Sequence, residues 1–265
     1  MHRKHQRERD LRGLGPASAT ALVVGSIVGT GVFTMPAVVA KAGSVGIVVV
    51  AVVSIGALML AALFGQLTMR IPNCDGGPYA YARSEFGDFA GFLVGWSYWI
   101  SAWAGNAAIV ASWVFYVEAL FGLTSPSGLV RSGIAMLGLW IPAIVNLVGV
   151  RQVAWFQNIT VVLKFLPLVF VAVVGWFFVD PSRFRMWNAS GGSMYSAIGL
   201  AAGVALFSFI GVEAAAVTAK RIRNPQRSVG PVSLLGVAVC ALLYVVVTAA
   251  VMGLVPHDTL ITTGS

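Results

Sequence analysis

Charged side chains are scarce in this sequence: Asp, Glu, Lys and Arg make up only 10% of its 265 residues. A soluble globular domain carries about 25%. Hydrophobic residues make up 58%, and the mean hydropathy is +0.87. This composition excludes an ordinary soluble domain and predicts a membrane protein.

Cysteine and histidine are also rare, with two and three residues respectively. Cys74 and Cys240 are too few for a disulfide framework, so we expect thiols. The sequence contains no Cys/His set with the spacing of a metal site, and no motif that pairs a nucleophile with a base. We therefore expect no enzyme, no metal and no cofactor.

Long apolar runs dominate the chain. Seven of them are near or above the roughly 20 residues that a helix needs to cross a bilayer. They cover 17–39, 46–69, 89–117, 131–150, 154–179, 195–218 and 231–255.

The basic residues are unevenly distributed between the loops, although the net charge of +8 alone could suggest nucleic acid. With a cytoplasmic N-terminus, four basic residues face outward (Lys41, Arg131, Arg183 and Arg185). Twelve face inward: Arg3, Lys4, Arg7, Arg9, Arg12, Arg70, Arg83, Arg151, Lys220, Arg221, Arg223 and Arg227. This excess obeys the positive-inside rule. We expect a multi-pass protein of the plasma (inner) membrane, with a basic cytoplasmic tail at 1–15, lipid as a partner and no nucleic acid.

A glycine run, Gly25-Ser26-Ile27-Val28-Gly29-Thr30-Gly31, interrupts the first apolar stretch. Three glycines in seven residues weaken a helix. A break at membrane depth is tolerated only where it is buried in protein or lines a cavity. Its freed backbone groups can then bind a polar solute. The alternative is close helix packing through small residues.

A second interruption, Phe207-Ser208-Phe209-Ile210-Gly211-Val212-Glu213, lies in the sixth stretch. Five spans separate the two, so the second unit enters from the opposite side of the membrane. Paired interruptions in inverted halves indicate a transporter site. We expect a first five-helix repeat over 16–180, two helices of a second repeat over 195–255, and an extracytoplasmic end at 256–265. Because the second repeat has only two helices, we expect a C-terminally truncated chain.

Four ordered blocks resemble the amino acid–polyamine–organocation transporter superfamily, and most closely its basic amino acid/polyamine antiporter branch. The first is the glycine run continued through Val32-Phe33 to Pro36. The others are Gly76-Gly77-Pro78-Tyr79-Ala80-Tyr81-Ala82-Arg83 with Phe86-Gly87, Tyr98-Trp99 through Trp103-Ala104-Gly105-Asn106, and Ser208–Glu213 with Asn224-Pro225-Gln226-Arg227. The resemblance implies an all-α LeuT-like inverted-repeat fold with discontinuous helices one and six.

The resemblance also implies where an amino acid binds. Its carboxylate meets Ser26, Thr30 and Gly31, at the start of a helix, where free N–H groups favour an anion. Its ammonium meets carbonyl groups at Ile27, Phe207 and Ile210. In the third span, Asn106 meets the distal polar group of a cationic substrate, lined by Ala102 and Ile109. Helix periodicity places Ser101 on a similar face, a little more than one turn before Asn106. The alternative for Asn106 is an interhelical hydrogen bond.

Two charged residues lie inside spans. Glu213 is costly there unless it faces a cavity or a partner, and the resemblance gives it a gating and proton-sensing role near Tyr98. Lys164 departs from the arginine/agmatine antiporter, and in other branches a lysine of helix five replaces a sodium ion, so we expect no sodium coupling. The alternative is a purely structural role: an ion pair or a hydrogen bond to the backbone for Glu213, and pairing with helix-end carbonyls for Lys164. Phe207 also departs, because the close relative has Trp there, which puts strict arginine specificity in doubt.

We expect sodium-independent amino acid transport by alternating access, as cationic amino acid/polyamine exchange or proton-coupled uptake. The alternatives are a broad proton symporter for neutral amino acids and a non-transporting truncated remnant. A seven-helix receptor is disfavoured by the Arg-rich N-terminus. A homodimer is left open.

Overall fold

The structure is a computed structural model that describes residues 14–71 and 76–263. Within these residues the secondary structure is helical, and the β-type pairing is a single isolated bridge. The expected all-α class is confirmed. The predicted basic tail up to residue 13, Cys74 and the last two residues of the predicted extracytoplasmic end lie outside the described residues.

The described residues form eleven α-helices. They are α1 (Pro16–Ile27), α2 (Gly31–Ala42), α3 (Val45–Arg70), α4 (Pro78–Phe86), α5 (Asp88–Leu120), α6 (Gly128–Val148), α7 (Val150–Val173), α8 (Met194–Ser208), α9 (Ala214–Val217), α10 (Pro225–Leu254) and α11 (His257–Thr263). Short 3₁₀ helices cover Gly175–Phe178, Pro181–Phe184 and Ala219–Arg221.

Four helices in the described part are long and apolar enough to cross a membrane: α3, α5, α6 and α10. The pair α1 and α2 makes a fifth candidate span, bent by 46° at the break between them. Ile159–Val173 within α7 and the whole of α8 are shorter apolar helices. The chain is a multi-pass membrane protein, and the number of seven spans stays a prediction.

The chain divides into two compact units. The first unit contains the described residues up to Val94 and those from Pro167 onward, and the second unit is Gly95–Leu166. The predicted division into repeats over 16–180 and 195–255 stays a prediction.

Helix α10 lies at the centre of the first unit, where it packs against α1, α2 and α3. Its fully buried side chains recur every three or four residues, so they form one helix face. They include Ser233, Val237, Cys240, Tyr244 and Thr248.

Glycines allow α3 and α10 to approach closely. A Cβ added at Gly65 would lie 2.5 Å from the Cα of Gly230 and 3.3 Å from its nitrogen. Small residues serve this purpose at membrane helix crossings, where dispersion contacts replace the hydrophobic effect. The two backbones therefore leave no room for a methyl group.

The variant Gly65→Ala is expected to lower the melting temperature of the detergent-solubilised protein. Overpacking of this kind costs about 1–3 kcal/mol, and the clash here is with backbone. The matched control is Gly56→Ala in the same helix, where an added Cβ meets nothing within 4 Å. Fluorescence-detected thermal unfolding checks this, and equal melting temperatures for the two variants would contradict the close crossing.

The end of α2 is covered by the segment that precedes α8. Backbone N–H groups of Ser44 and Val45 donate to the carbonyl oxygens of Met186 and Trp187 at 2.9 and 3.1 Å. In the other direction, Ala189 N–H donates to the last carbonyl of α2 at 3.1 Å. The segment thus pairs backbone groups at the end of α2 and the start of α3, as helix ends require.

The opposite end of the first unit is held by an isolated bridge between Leu14 and Ile222. Leu14 N–H donates to Arg221 O at 2.7 Å, and Arg223 N–H donates to Leu14 O at 3.1 Å. The chain entering α1 is therefore joined to the chain between α9 and α10.

In the second unit, α5 and α6 are neighbours. The Arg131 side chain donates from Nε and Nη2 to both carboxylate oxygens of Glu118, at 2.7 and 3.3 Å. The indole N–H of Trp113 donates to Ile134 O at 3.1 Å. These bonds fasten α5 to α6 within this unit.

Candidate functional site

The first apolar stretch is broken between Ile27 and Gly31. Val28 N–H closes the last turn of α1 by donating to Val24 O at 2.9 Å. After the break, Thr30 O accepts from Phe33 N–H and Thr34 N–H at 3.1 and 3.3 Å, and the Thr30 side chain makes no capping bond. The Thr30 side chain therefore leaves the backbone N–H groups at the start of α2 uncapped.

The second break follows α8 and runs from Phe209 to Glu213. Its backbone makes short turns in which Phe209 N–H donates to Leu206 O, and Ile210 N–H to Phe207 O, both at 3.2 Å. Gly211 has φ +108°, a conformation that L side chains rarely adopt. Glycine at this position therefore allows the turn that precedes α9.

The two breaks lie against each other. A Cβ added at Gly31 would collide with the Ser208 side chain, and one added at Gly211 would lie 2.8 Å from Ser26 O and 3.1 Å from Ile27 N. α2 also packs against α8, and α9 against α1. Residues far apart in sequence thus lie together at the two breaks.

Tyr244 of α10 joins the two breaks. Its hydroxyl oxygen lies 2.8 Å from Ile27 O and 2.9 Å from Ser208 O. Ile27 and Ser208 are the last residues of α1 and α8, so their carbonyl oxygens accept no hydrogen bond within their own helices. The Tyr244 side chain is fully buried, and its ring lies 5.2 Å from that of Phe209.

Of the binding residues predicted in the first unit, the structure places all six at these breaks. Ile27 and Gly31 are buried, and Thr30 is half-buried. Ser26, Phe207 and Ile210 are exposed, and the Ser26 hydroxyl donates to Leu22 O at 2.8 Å. Their contact with a substrate stays a prediction.

Two carbonyls predicted to bind ammonium already accept hydrogen bonds. Ile27 O accepts from Tyr244, and Phe207 O accepts from Ile210 N–H and from Phe209 N–H. A carbonyl oxygen has two lone pairs, so the bond from Tyr244 leaves one on Ile27 O for a ligand.

Glu213 stands directly before α9 and is half-buried. Its Oε2 accepts a hydrogen bond from Gly211 N–H at 3.1 Å. The carboxylate therefore lies within the second break and binds its backbone.

The other predicted residues lie in the second unit. Tyr98, Ser101, Ala102, Asn106 and Ile109 are exposed residues of α5, and Lys164 of α7 is half-buried. The Ser101 hydroxyl donates to Ser97 O at 2.9 Å. Because they belong to this separate unit, their position relative to the breaks stays a prediction.

Sequence reasoning missed Tyr244. A signal existed, because Tyr244 is the one tyrosine of α10 and stands inside an apolar helix. A phenolic hydroxyl at membrane depth needs a hydrogen-bond partner. The identity of that partner could not be read from the sequence.

Comparison with known proteins decides the family. The family model described as amino acid permease matches residues 14–265. The chain belongs to the amino acid permease family. The chain is 31% identical to the cadaverine/lysine antiporter of Escherichia coli K12 over 254 residues, 95% of this chain and 56% of the relative.

Two further relatives agree with that match. The chain is 34% identical to the arginine/ornithine antiporter of Pseudomonas aeruginosa PAO1, over 91% of this chain and 52% of the relative. It is 31% identical to the putrescine transporter PotE of Escherichia coli K12, over 92% of this chain and 55% of the relative. The resemblance to the basic amino acid/polyamine antiporter branch is confirmed. The chain spans about half the length of the curated relatives it matches.

Proposed function

We propose that this permease binds and exchanges cationic amino acids or polyamines by alternating access in the plasma membrane, with its N-terminus in the cytoplasm. The observation that carries the proposal is the contact between the two helix breaks, Gly31 against Ser208 and Gly211 against Ser26. Discontinuous helices bring ligand-binding backbone groups to membrane depth in transporters.

The two ends of an α-amino acid fit the two kinds of helix end at the breaks. The start of α2 at Gly31 favours the carboxylate, because its N–H groups and the helix dipole attract an anion. The ends of α1 and α8 offer carbonyl oxygens at Ile27 and Phe207 to the ammonium group. Ser26, Thr30 and Ile210 complete this part of the site.

In this proposal, side chains determine which substrate binds. Asn106, with Ser101, Ala102 and Ile109 near it, would bond the distal polar group of a cationic substrate. Phe207, a residue that is 37% exposed, would cover the site with its ring and attract a cation less strongly than a tryptophan would. The relatives' names support cationic substrates, since they are called antiporters of lysine, arginine and ornithine and a transporter of putrescine.

In this proposal, two charged residues determine how transport is coupled to ions. The Lys164 ammonium would take the place of a sodium ion, which makes transport sodium-independent. Glu213, with Tyr98, would gate the site and respond to protons.

Counterflow in proteoliposomes tests this function. Vesicles loaded with unlabelled lysine are expected to accumulate labelled lysine, arginine or putrescine, and labelled alanine much less. Replacing sodium with N-methyl-D-glucamine is expected to leave uptake unchanged. Vesicles without internal substrate separate exchange from proton-coupled uptake, and protein-free vesicles give the background.

Three results would count against the proposal. Preferential alanine uptake driven by a proton gradient would favour the neutral amino acid symporter. Sodium-dependent uptake would refute the role of Lys164. Uptake equal to that of protein-free vesicles for every substrate would favour a non-transporting chain.

A further inference from the structure

The Tyr244 hydroxyl occupies an unusual position, because it lies within hydrogen-bond distance of two helix-terminal carbonyls that belong to different helices. A hydroxyl has one proton, so it donates to Ile27 O and Ser208 O in turn or shares the proton between them. Both oxygens are 2.8–2.9 Å away, which is a good hydrogen-bond distance for each.

Other buried hydroxyls on the same face of α10 are placed differently. Among the described residues, Ser233 Oγ and Thr248 Oγ1 have no hydrogen-bond partner. Thr248 lies one helical turn from Tyr244 and is equally buried. Burial on this face therefore does not by itself bring a hydroxyl to a carbonyl, and the two bonds of Tyr244 depend on where the breaks lie.

The geometry around Tyr244 leaves the hydroxyl little freedom. Its ring packs on Phe209, inside the second break, and its side chain has no exposed surface. The close approach of Gly211 to Ser26 brings the two helix ends near enough for one oxygen to reach both. The position of the Ile27 carbonyl is thereby coupled to that of the Ser208 carbonyl.

We propose that Tyr244 is a positioning residue, whose hydroxyl joins the ends of α1 and α8 and so fixes the Ile27 carbonyl for the substrate ammonium. The role of the Ile27 carbonyl toward the substrate ammonium rests on the proposed function, whereas the join between α1 and α8 does not. In this role Tyr244 acts on the substrate through the Ile27 carbonyl and not by direct contact. It uses one lone pair of Ile27 O and leaves the other available.

Hydrogen–deuterium exchange tests the join without any substrate. The variant Tyr244→Phe keeps the ring and removes the hydroxyl. Peptides covering residues 24–34 and 205–217 are both expected to exchange faster in this variant, by about two- to tenfold, the range that one net hydrogen bond gives. Unchanged exchange in either peptide overturns the proposal.

The matched control is Tyr81→Phe. Tyr81 is also buried, and its hydroxyl oxygen lies 2.7 Å from Thr68 Oγ1. This hydrogen bond joins α4 to α3 and involves no residue of the two breaks. This variant is expected to leave both break peptides unchanged. Equal acceleration of the break peptides by both variants would show general loosening and overturn the specific join.

A measurement on the unmodified protein covers the case in which Tyr244→Phe does not fold. If one hydroxyl joins the two breaks, their slow-exchanging amides open together and share one temperature dependence. Separate temperature dependences overturn the proposal.

Transport kinetics test the positioning role. Tyr244→Phe is expected to raise the KM for lysine counterflow by about three- to tenfold, with a smaller change in the maximal rate, because a displaced carbonyl weakens substrate binding. An unchanged KM overturns this role. If the unmodified protein exchanges no substrate, the proposed function fails, and the exchange measurements still decide whether Tyr244 joins the breaks.

Discussion

Replacing Gly211 by alanine is expected to abolish substrate exchange and to lower the melting temperature. Gly211 has φ +108°, and an added Cβ would lie 2.8 Å from Ser26 O and 2.9 Å from the Ser26 carbonyl carbon. An unfavourable backbone conformation costs about 1–3 kcal/mol, and the clash adds to it. Backbone atoms cannot rotate away, so α1 must shift and the contact between the breaks is lost.

The control for Gly211→Ala is Gly203→Ala in α8. A Cβ added at Gly203 meets nothing within 4 Å, and the backbone there is helical. Alanine is expected to be tolerated at that position and can stabilise the helix by up to about 1 kcal/mol. Thermal unfolding and lysine counterflow measure both variants. Normal exchange by Gly211→Ala would show that the close contact of the breaks is not needed for transport.

Replacing Glu213 by glutamine is expected to remove the pH dependence of uptake while leaving the melting temperature nearly unchanged. The glutamine side-chain oxygen can still accept the hydrogen bond that Gly211 N–H donates to Glu213 Oε2 at 3.1 Å. The amide cannot take up or release a proton, so a response that depends on this carboxylate is lost. Initial uptake rates from pH 5 to pH 8 measure the effect.

Glu85→Gln makes the same chemical change at an exposed residue of α4. It is expected to leave the pH profile of uptake as it is in the unmodified protein. An unchanged profile in Glu213→Gln would refute a proton-sensing role for Glu213. A loss of melting temperature in that variant would instead indicate a structural role for the carboxylate.

The sequence predicted the helical class, and the residues that it marks as interruptions lie where α1 and α8 end. The apolar runs indicate helices because lipid requires each backbone group to bond within the chain. The glycine run before Gly31 and the interruption after Phe207 break helical propensity, and α1 ends at Ile27 while α8 ends at Ser208. Local composition contains this information, so no tertiary contact was needed to find it.

Contacts between helices could not be predicted in the same way. In a helix that is apolar on all sides, the pattern does not show which face is buried. Gly56 and Gly65 of α3 look alike in sequence, yet only Gly65 touches another backbone, at Gly230. The join made by Tyr244 was missed for the same reason, since its partners are carbonyl groups and leave no mark in side-chain composition.

Segments without regular structure were predicted least well. The predicted span 154–179 includes residues that the structure has as the 3₁₀ helix Gly175–Phe178. The pairing of Met186 and Trp187 with Ser44 and Val45 was not predicted at all. Such pairings use backbone atoms, which every residue carries, so the sequence does not distinguish the residues that make them.

The bridge between Leu14 and Ile222 has a consequence for how this protein tolerates mutation. Both of its hydrogen bonds join main-chain atoms, with Leu14 N–H and Arg223 N–H as the donors. Side-chain identity at these positions can therefore drift over evolutionary time without loss of the bridge. Proline is the exception, because it removes the donor. Substitutions other than proline at Leu14 or Arg223 therefore leave α1 joined to the segment that precedes α10.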